Sequence, residues 1–317
     1  MPRLPPARLL ARSGGMSCVS LTTDYGLLDG FVAACHGVLL RLAPGVPIVD
    51  VTHLVPRGDV RRGAAVLAST VRHLPRGVHV AVVDPGVGTS RRALAARTPG
   101  GFVVGPDNGL LVPAAEALGG LLAAVDLTMP EDIPATFHGR DVFAPAAAAL
   151  ATGRPLDALG ERIDPASVVR LPEPFARVLR GPAGSRLEAD VLTVDGFGNV
   201  ALAAAAELLT QAGLRPGDRV RLTAERARPS VDRVPPTGGQ IRPSGERRAV
   251  GEPEPELVPG PAGPVELAVG VTFGSVEPGE LVLYLDSGGL VAVARRDGDA
   301  ARSLRLVPGD RVIITPA

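Results

Sequence analysis

Three short polar islands interrupt apolar, strand-like sequence and carry the residue types that acid–base chemistry uses. The first runs from Asp84 to Arg91 through a glycine-rich turn, the second spans 105–109 (Gly-Pro-Asp-Asn-Gly), and the third spans 137–141 (Phe-His-Gly-Arg-Asp). Carboxylates, arginines and a histidine on loops that leave buried strands are how an α/β protein assembles a reaction site. The pattern indicates an enzyme.

Composition limits the classes of function. The 33 acidic and 33 basic residues cancel to a formal net charge of +0, so no overall field attracts nucleic acid or an anionic membrane. Every basic residue is an arginine, which excludes a lysine Schiff base and a P-loop lysine. Cys18 and Cys35 are too few for a disulfide framework, and no apolar run is long enough to span a bilayer. A reduced, cytoplasmic protein is expected.

The positioning elements follow from the spacing of apolar residues. Strand-like runs, among them the continuous apolar segment 78–83, alternate with helical patterns such as 29–43 and 59–74. This predicts an α/β N-terminal domain over 16–171 with a mostly parallel sheet sandwiched by helices, after a disordered extension at 1–15. The other predicted elements are strands at 19–23, 47–51, 102–104 and 122–126 and helices at 112–118 and 141–152.

The sequence changes character near residue 172. Residues 172–185 are rich in Pro and Gly and predict a linker, and a smaller β-rich, barrel-like C-terminal domain is expected over 186–317. Within that domain, residues 226–263 are dominated by Pro, Arg, Glu and Gly and predict a flexible excursion. The predicted strands are 187–194, 219–223, 265–271, 280–285, 290–294 and 310–315.

Taken together, the motifs resemble those of the S-adenosylmethionine hydroxide adenosyltransferases, adenosine-forming hydrolases related to the fluorinating and chlorinating enzymes that use the same substrate. The likeness runs from about residue 18 to the C-terminus, apart from 226–263. The number of motifs that match in the same order makes the resemblance specific, whereas any one motif alone would be weak evidence for the family. The matching segments are 23–26 (Thr-Asp-Tyr-Gly), 49–53, 84–91, 106–109, 137–141, 195–199 and 287–294.

The resemblance implies hydrolysis of S-adenosylmethionine to adenosine and methionine by in-line attack of water on ribose C5′. A sulfonium already leaves easily, so neither a metal nor another cofactor is expected. The implied catalytic residues are Asp84, Arg91 and His138. Arginine can hold an incipient hydroxide or fix Asp84, and the sequence leaves open whether Asp84 or His138 accepts the proton. Taken singly, the three residues also suit a turn start, a surface ion pair and a loop histidine.

The family pattern also implies substrate-binding residues in the first domain and in the second. Asp24, at the end of the first strand, matches the carboxylate that grips both ribose hydroxyls; Asp29 is better placed than Asp24 to cap the following helix. In the second domain, the implied contacts are Asp195 with the methionine ammonium, Ser287 with its carboxylate, Phe197 and Phe273 with the adenine faces, and Asn199 with the adenine edge. Core packing is the alternative for both phenylalanines.

Two other functions remain as alternatives. A halogenase is disfavoured because a carboxylate at the nucleophile site would repel a halide, and because Gly139 stands where the halogenating relatives carry a hydroxyl-bearing residue. Gly58 likewise stands where the fluorinating relatives carry a large aromatic residue. A non-catalytic sensor of S-adenosylmethionine or adenosine is the second alternative. The resemblance further implies a homotrimer whose sites lie between the first domain of one subunit and the second domain of its neighbour.

Overall fold

The computed structural model describes residues 16–130, 134, 136–181, 184–226 and 263–317. The chain divides into two compact units, Met1–Leu171 and Pro172–Ala317. The predictions for residues 1–15, and for the excursion at 226–263 apart from its two end residues, lie outside the described residues. No helix in the described part of the chain is long and apolar enough to cross a membrane.

The first unit is built on a seven-stranded sheet. Its strands are β1 (Val19–Thr23), β2 (Ile48–Thr52), β3 (Gly77–Val82), β4 (Ala93–Thr98), β5 (Gly101–Pro106), β6 (Ala123–Leu127) and β7 (Gly160–Ile163). The spatial order is β2-β1-β3-β5-β4-β6-β7. The first four strands in this order run parallel, whereas β4 and β7 pair antiparallel with their neighbours. The predicted parallel-rich sheet is confirmed.

Helices cover both faces of this sheet, as predicted. They are α1 (Phe31–Leu42), α2 (Val60–Val71), α3 (Val112–Ala117) and α4 (Ala144–Ala151), the last entered through a π-helical turn at Gly139–Phe143. Leu39 of α1 and Ala147 of α4 pack in one apolar cluster with Val80 of β3. Leu67 of α2 packs in a second cluster with Ala81, the next residue of β3. Because neighbouring strand residues face opposite sides, the sheet is buried on both faces.

Strand β4 and the start of α1 differ from the expectations. The alanine-rich segment 93–98 has little strand propensity, yet it is paired on both sides, by β5 and β6, and its flanking partners decide its conformation. Helix α1 begins at Phe31 with Gly30 as its N-cap and no side-chain cap, so the proposed cap at Asp29 is wrong. Asp59, by contrast, caps α2 by accepting the backbone N–H of Arg62 at 2.9 Å.

The second unit is a closed barrel, which confirms the predicted β-rich domain. Its strands are β8 (Ala176–Gly181), β9 (Gly184–Val194), β10 (Val200–Ala205), β11 (Arg219–Glu225), β12 (Val265–Val269), β13 (Leu281–Leu285), β14 (Leu290–Arg295) and β15 (Arg311–Pro316). Strands β9 to β15 form the barrel in the order β10-β14-β13-β12-β11-β15-β9, and pairing of β9 with β10 closes it. Closure leaves no free edge among these seven strands. Two short helices, α5 (Ala206–Gln211) and α6 (Ala300–Leu304), also belong to this unit.

The predicted linker at 172–185 is partly wrong. Its middle, Ala176–Gly181, is strand β8, which pairs antiparallel with β9 so that Gly181 lies opposite Gly184. Pro and Gly are frequent both at the ends of hairpin strands and in linkers, so composition alone does not distinguish a hairpin from a linker. Strand β10 was also missed, because its alanine-rich sequence carries no strand periodicity.

Candidate active site

Asp84 and Arg91 form a buried ion pair just beyond the carboxyl end of β3. The Arg91 Nε lies 3.0 Å from both Asp84 carboxylate oxygens, and Nη2 also contacts Asp84 Oδ2. Their side chains are only 6 % (Asp84) and 10 % (Arg91) exposed. The turn between them is held by the Thr89 hydroxyl, which donates to the Gly86 carbonyl at 2.7 Å. Such a two-pronged, charge-assisted contact fixes the position of both groups.

His138 completes this cluster from the loop before α4. Its Nδ1 lies 2.8 Å from Arg91 Nη2, and the histidine is 5 % exposed. A guanidinium only donates hydrogen bonds, so Nδ1 accepts and the proton of the neutral ring resides on Nε2. Burial and the positive charge of Arg91 lower the pKa of His138, against the opposite influence of Asp84 and Asp141. Near neutral pH the cluster therefore holds an uncharged imidazole with Nε2–H as a donor.

Two aromatic residues line the cluster. Phe143 is fully buried, and the Arg91 guanidinium lies over its ring at 5.5 Å from the centroid. Burial is the main cause that raises the pKa of Tyr25, and the charges of Cys35, Asp24 and Asp84 add to it. The Tyr25 hydroxyl is therefore an uncharged group within electrostatic reach of both carboxylates. Tyr25 is not among the predicted site residues, although it directly follows Asp24 and is one of two tyrosines in the chain.

Tyr25 also explains why residue 139 is glycine. A Cβ atom built on Gly139 would lie 2.0 Å from the Tyr25 hydroxyl oxygen, far inside the contact distance of two such atoms. A larger residue at position 139 therefore has no room while Tyr25 keeps its hydroxyl.

Asp24 lies at the same edge of the sheet as the Asp84–Arg91–His138 cluster. It directly follows β1, which neighbours β3, and its backbone N–H lies 3.4 Å from the Val82 carbonyl. Its carboxylate accepts the backbone N–H of Gly58 at 2.8 Å, and Gly58 has a φ of 71°, in the left-handed region that glycine tolerates. The carboxylate keeps lone pairs for further donors. Asp24 is not a helix cap.

In the second unit, Asp195 and Asn199 are bonded to each other across a tight loop. Asp195 Oδ1 accepts the backbone N–H groups of Phe197 at 2.8 Å and Asn199 at 2.9 Å, and Oδ2 accepts the Asn199 side-chain amide at 2.8 Å. Gly198 has a φ of 81°. The loop is thus ordered from within, and the Asn199 amide nitrogen is already engaged.

The two phenylalanines predicted to flank a base are exposed, which contradicts the core-packing alternative. Phe197 is 82 % and Phe273 is 45 % exposed. The Phe273 ring lies 5.0 Å from the ring of Tyr284. Burial raises the pKa of Tyr284, and the charges of Asp286 and Asp195 raise it further.

Tyr284 is a residue of this second group that sequence reasoning missed. Its ring contacts Phe273, and it lies within electrostatic reach of Asp195 and Asp286. Ser287, in the turn after Asp286, is exposed. The signal available was its position two residues before Asp286 in a chain with few aromatic residues. The predicted site residues therefore form two groups, one in each compact unit.

Comparison with known families decides the relationship. The description of the S-adenosylmethionine (SAM) hydroxide adenosyltransferase N-terminal domain matches residues 19–160, and that of the C-terminal domain matches residues 250–313. The chain belongs to the SAM hydroxide adenosyltransferase family. Asp24 and the three residues of the Asp84–Arg91–His138 cluster all lie within the matched N-terminal region.

Individual relatives agree with this family. The chain is 50 % identical to an (R)-S-adenosyl-L-methionine hydrolase of Salinispora tropica, over 94 % of this chain and 97 % of that protein. It is 38 % identical to the hydrolase of the same name from Thermus thermophilus, over 93 % and 98 % of the two chains. A fluorinase of Nocardia brasiliensis is more distant, at 27 % identity over 94 % and 96 %.

A solved structure shows the same architecture. A crystal structure of an uncharacterized conserved protein from Thermotoga maritima matches with a TM-score of 0.75 and 30 % sequence identity, covering 93 % of this chain and 99 % of that one. The similarity thus extends over both compact units of this member of the SAM hydroxide adenosyltransferase family.

Proposed function

We propose that this protein hydrolyses (R)-S-adenosyl-L-methionine to adenosine and L-methionine. The observation that carries the proposal is the buried cluster of Asp84, Arg91 and His138 at the carboxyl edge of the sheet, in a chain that is 50 % identical to a hydrolase named for this substrate. The reaction forms a bond between a water oxygen and ribose C5′ and breaks the C5′–S bond. The electron pair of that bond goes to sulfur, which leaves as the neutral thioether of methionine.

The cluster supports a division of roles among its three side chains. Arg91 stays protonated and holds Asp84 and His138 in fixed positions through its Nε and Nη2 atoms. With Nδ1 engaged by Arg91, neutral His138 offers Nε2–H to the oxygen of the attacking water. Asp84 then accepts the proton that water loses, because its carboxylate retains lone pairs. The scheme uses no metal or other cofactor. It requires that the attacking water be oriented and that bulk water be excluded from the site.

The remaining predicted residues would bind the substrate. Asp24 would accept both ribose hydroxyls, and the exposed rings of Phe197 and Phe273 would cover the adenine. Asp195, Asn199 and Ser287 would meet the methionine end and the adenine edge. The exposure of Phe197 and Phe273 and the shared neighbourhood of Asp195 and Phe273 around Tyr284 support these roles.

Isotope labelling of the nucleoside tests the reaction. Purified protein is incubated in oxygen-18 water with the R and the S sulfonium epimer of S-adenosylmethionine in separate reactions, with and without chloride. Adenosine labelled at the 5′ oxygen from the R epimer is expected, and Asp84→Asn should abolish it. A 5′-chloro nucleoside would support the halogenase instead, and intact substrate bound without turnover would support a sensor.

We further propose a homotrimer in which each site combines the first unit of one subunit with the second unit of its neighbour. The resemblance to the family motivates this arrangement, and the exposed apolar residues Leu27, Leu28 and Leu54 near the Asp24 loop suit an intersubunit contact. A cytoplasmic location is part of the same proposal, because Cys18 and Cys35 are free and buried.

Mixing two inactive variants tests the shared site. Asp84→Asn and Asp195→Asn are each inactive in the proposal, and random reassortment of their subunits should restore about one quarter of the wild-type sites, because each site draws on two chains. Reassortment that restores no activity, or a fully active monomer in light scattering, would exclude sites between subunits. Each variant alone, treated identically, is the control.

A further inference from the structure

A second cluster of chemistry-bearing side chains lies outside the Asp84–Arg91–His138 group. His36 on α1, Asp50 on β2 and His53 just after β2 each present one ligand atom, and these atoms lie within 4.8 Å of one another. His36 Nε2 is 2.9 Å and His53 Nε2 is 3.0 Å from the same oxygen, Asp50 Oδ1. The proposed hydrolysis uses none of these three residues.

The buried imidazole of His53 is arranged as a metal ligand would be. Its Nδ1 is bonded to the Thr23 hydroxyl at 2.8 Å, which fixes the ring and leaves Nε2 as the outward ligand atom. His53 is only 4 % exposed, and Nε2 has no hydrogen-bond partner although it lies 3.0 Å from Asp50 Oδ1. His36 Nε2, by contrast, is hydrogen-bonded to Asp50 Oδ1 at 2.9 Å, so the two imidazole nitrogens and the carboxylate oxygen already lie around one point, as the ligands of one ion do.

The partners of Asp50 distinguish it from other carboxylates of the chain. Asp84, Asp107 and Asp141 are each paired with an arginine, and the chain contains many arginines for this purpose. Asp50 instead lies between two imidazoles. Two imidazole nitrogens and one carboxylate oxygen are a ligand set for Zn²⁺ and similar divalent transition metals, with a position left for water, whereas Mg²⁺ and Ca²⁺ prefer oxygen ligands alone.

We propose that His36, Asp50 and His53 bind one divalent transition-metal ion, with Zn²⁺ as the representative. The ion is structural and joins α1 to the carboxyl end of β2. It also braces the loop after β1, because Thr23 bonds to His53 and the His53 carbonyl accepts the backbone N–H of Gly26 at 2.8 Å. The site is separate from the proposed hydrolysis and does not depend on it.

Zinc titration of the full chain tests the site. Untagged protein is stripped with EDTA, dialysed and titrated with Zn²⁺ against a chromophoric chelator. About one Zn²⁺ per chain is expected, and His36→Gln or Asp50→Asn should weaken it at least about ten-fold. Both side chains are partly exposed, so these variants should fold, which circular dichroism verifies. His73→Gln removes an exposed histidine elsewhere and should bind as the wild type does.

Thermal unfolding gives an independent readout. Zn²⁺ should raise the Tm of the wild type and of His73→Gln, because it binds the folded state, and should leave the Tm of His36→Gln unchanged. The proposal is overturned if the wild type takes up no Zn²⁺ at micromolar concentration. It is equally overturned if His36→Gln and Asp50→Asn bind Zn²⁺ as tightly as the wild type, since the ion would then lie elsewhere.

Discussion

At the scale of single residues, Arg91 is the centre of the proposed active site. It contacts Asp84 through Nε and Nη2 and His138 through Nη2, so one planar guanidinium sets the positions of two other groups. A lysine would keep the charge but would lack the second prong and the contact to His138. The geometry of Arg91, more than its charge, is what the cluster requires.

Arg91→Lys should lower kcat for (R)-S-adenosyl-L-methionine by at least about 100-fold, because misplacing the reacting groups by about 1 Å costs that much. Arg170→Lys is the matched control, since Arg170 pairs with Glu116 on the surface. Steady-state assays of adenosine formation compare the two variants. Equal activity of both would show that Arg91 contributes only charge.

The protonation state of His138 predicts a pH dependence. Burial and Arg91 lower its pKa from the ordinary value of 6.5, so the neutral form persists below that pH. If the neutral ring is the active form, kcat should stay level as the pH falls to 6.5 and decline only below it. A pH–rate profile between pH 4.5 and 9, run on wild type and His138→Asn, checks this. A decline that begins above pH 6.5 contradicts it.

The close approach of Tyr25 to Gly139 predicts that a second substitution restores stability lost through a first. Gly139→Ser should reduce both the stability and the activity of the protein, because the new Cβ meets the Tyr25 hydroxyl. Adding Tyr25→Phe removes that oxygen and leaves ring carbon Cζ at 3.0 Å as the nearest atom, so the double variant should recover part of the lost stability. Thermal unfolding of the three variants measures the recovery. If the double variant recovers no stability, the clash does not involve the Tyr25 hydroxyl.

At the scale of elements, parallel strands bring the first-unit site together. Asp24 follows β1 and Asp84 follows β3, two neighbouring strands whose carboxyl ends share an edge. Asn108 secures this edge, since its side-chain amide donates to the Val83 carbonyl at 2.9 Å. This bond gives Asn108 a structural role at that edge.

Two aspartates before helices offer a matched test of capping. Asp59→Ala should lower the free energy of unfolding by about 1 kcal/mol, because it removes the acceptor for the Arg62 N–H at the start of α2. Asp29→Ala should change it by less than about 0.5 kcal/mol, because Gly30 caps α1 and Asp29 is exposed. Urea unfolding of both variants distinguishes them. Similar losses would mean that Asp29 also caps a helix.

At the scale of the whole molecule, a histidine inside the first sheet links folding to pH. His79 of β3 is 0 % exposed; its Nδ1 is 2.9 Å from the Ser20 hydroxyl, and its Nε2 has no hydrogen-bond partner. Burial lowers the pKa of His79 from 6.5 to about 4. The unfolded chain therefore binds a proton below pH 6.5, whereas the native protein stays unprotonated there until about pH 4.

Stability should fall as the pH drops from 6.5 towards 4, by up to about 3 kcal/mol from this residue. His79→Leu should lose this part of the acid sensitivity. Urea unfolding at pH 7 and pH 4.5 gives the loss in the free energy of unfolding for wild type and variant. The difference between the two losses cancels the contributions of the other histidines. Equal acid sensitivity of the two proteins would show that His79 is protonated in the native state.

The fold class, the main strands and the residue types of the first-unit site could be predicted from the sequence. Apolar runs such as 78–83 specify buried strands through local periodicity, and polar islands at their ends identify Asp84, Arg91 and His138 as candidates. These features are readable because each depends on residues close together in the chain. The family resemblance supplied their proposed roles.

Contacts between distant segments were needed to show the alanine-rich strands β4 and β10, the strand inside the predicted linker, and the surroundings of Tyr25 and Tyr284. Such a contact also sets which nitrogen of His138 carries the proton, because the donor that occupies Nδ1 lies 47 residues away in the chain. Alanine by itself favours helix over strand, so pairing with neighbouring strands imposes the extended conformation. Such outcomes depend on contacts between distant segments, which no local pattern contains.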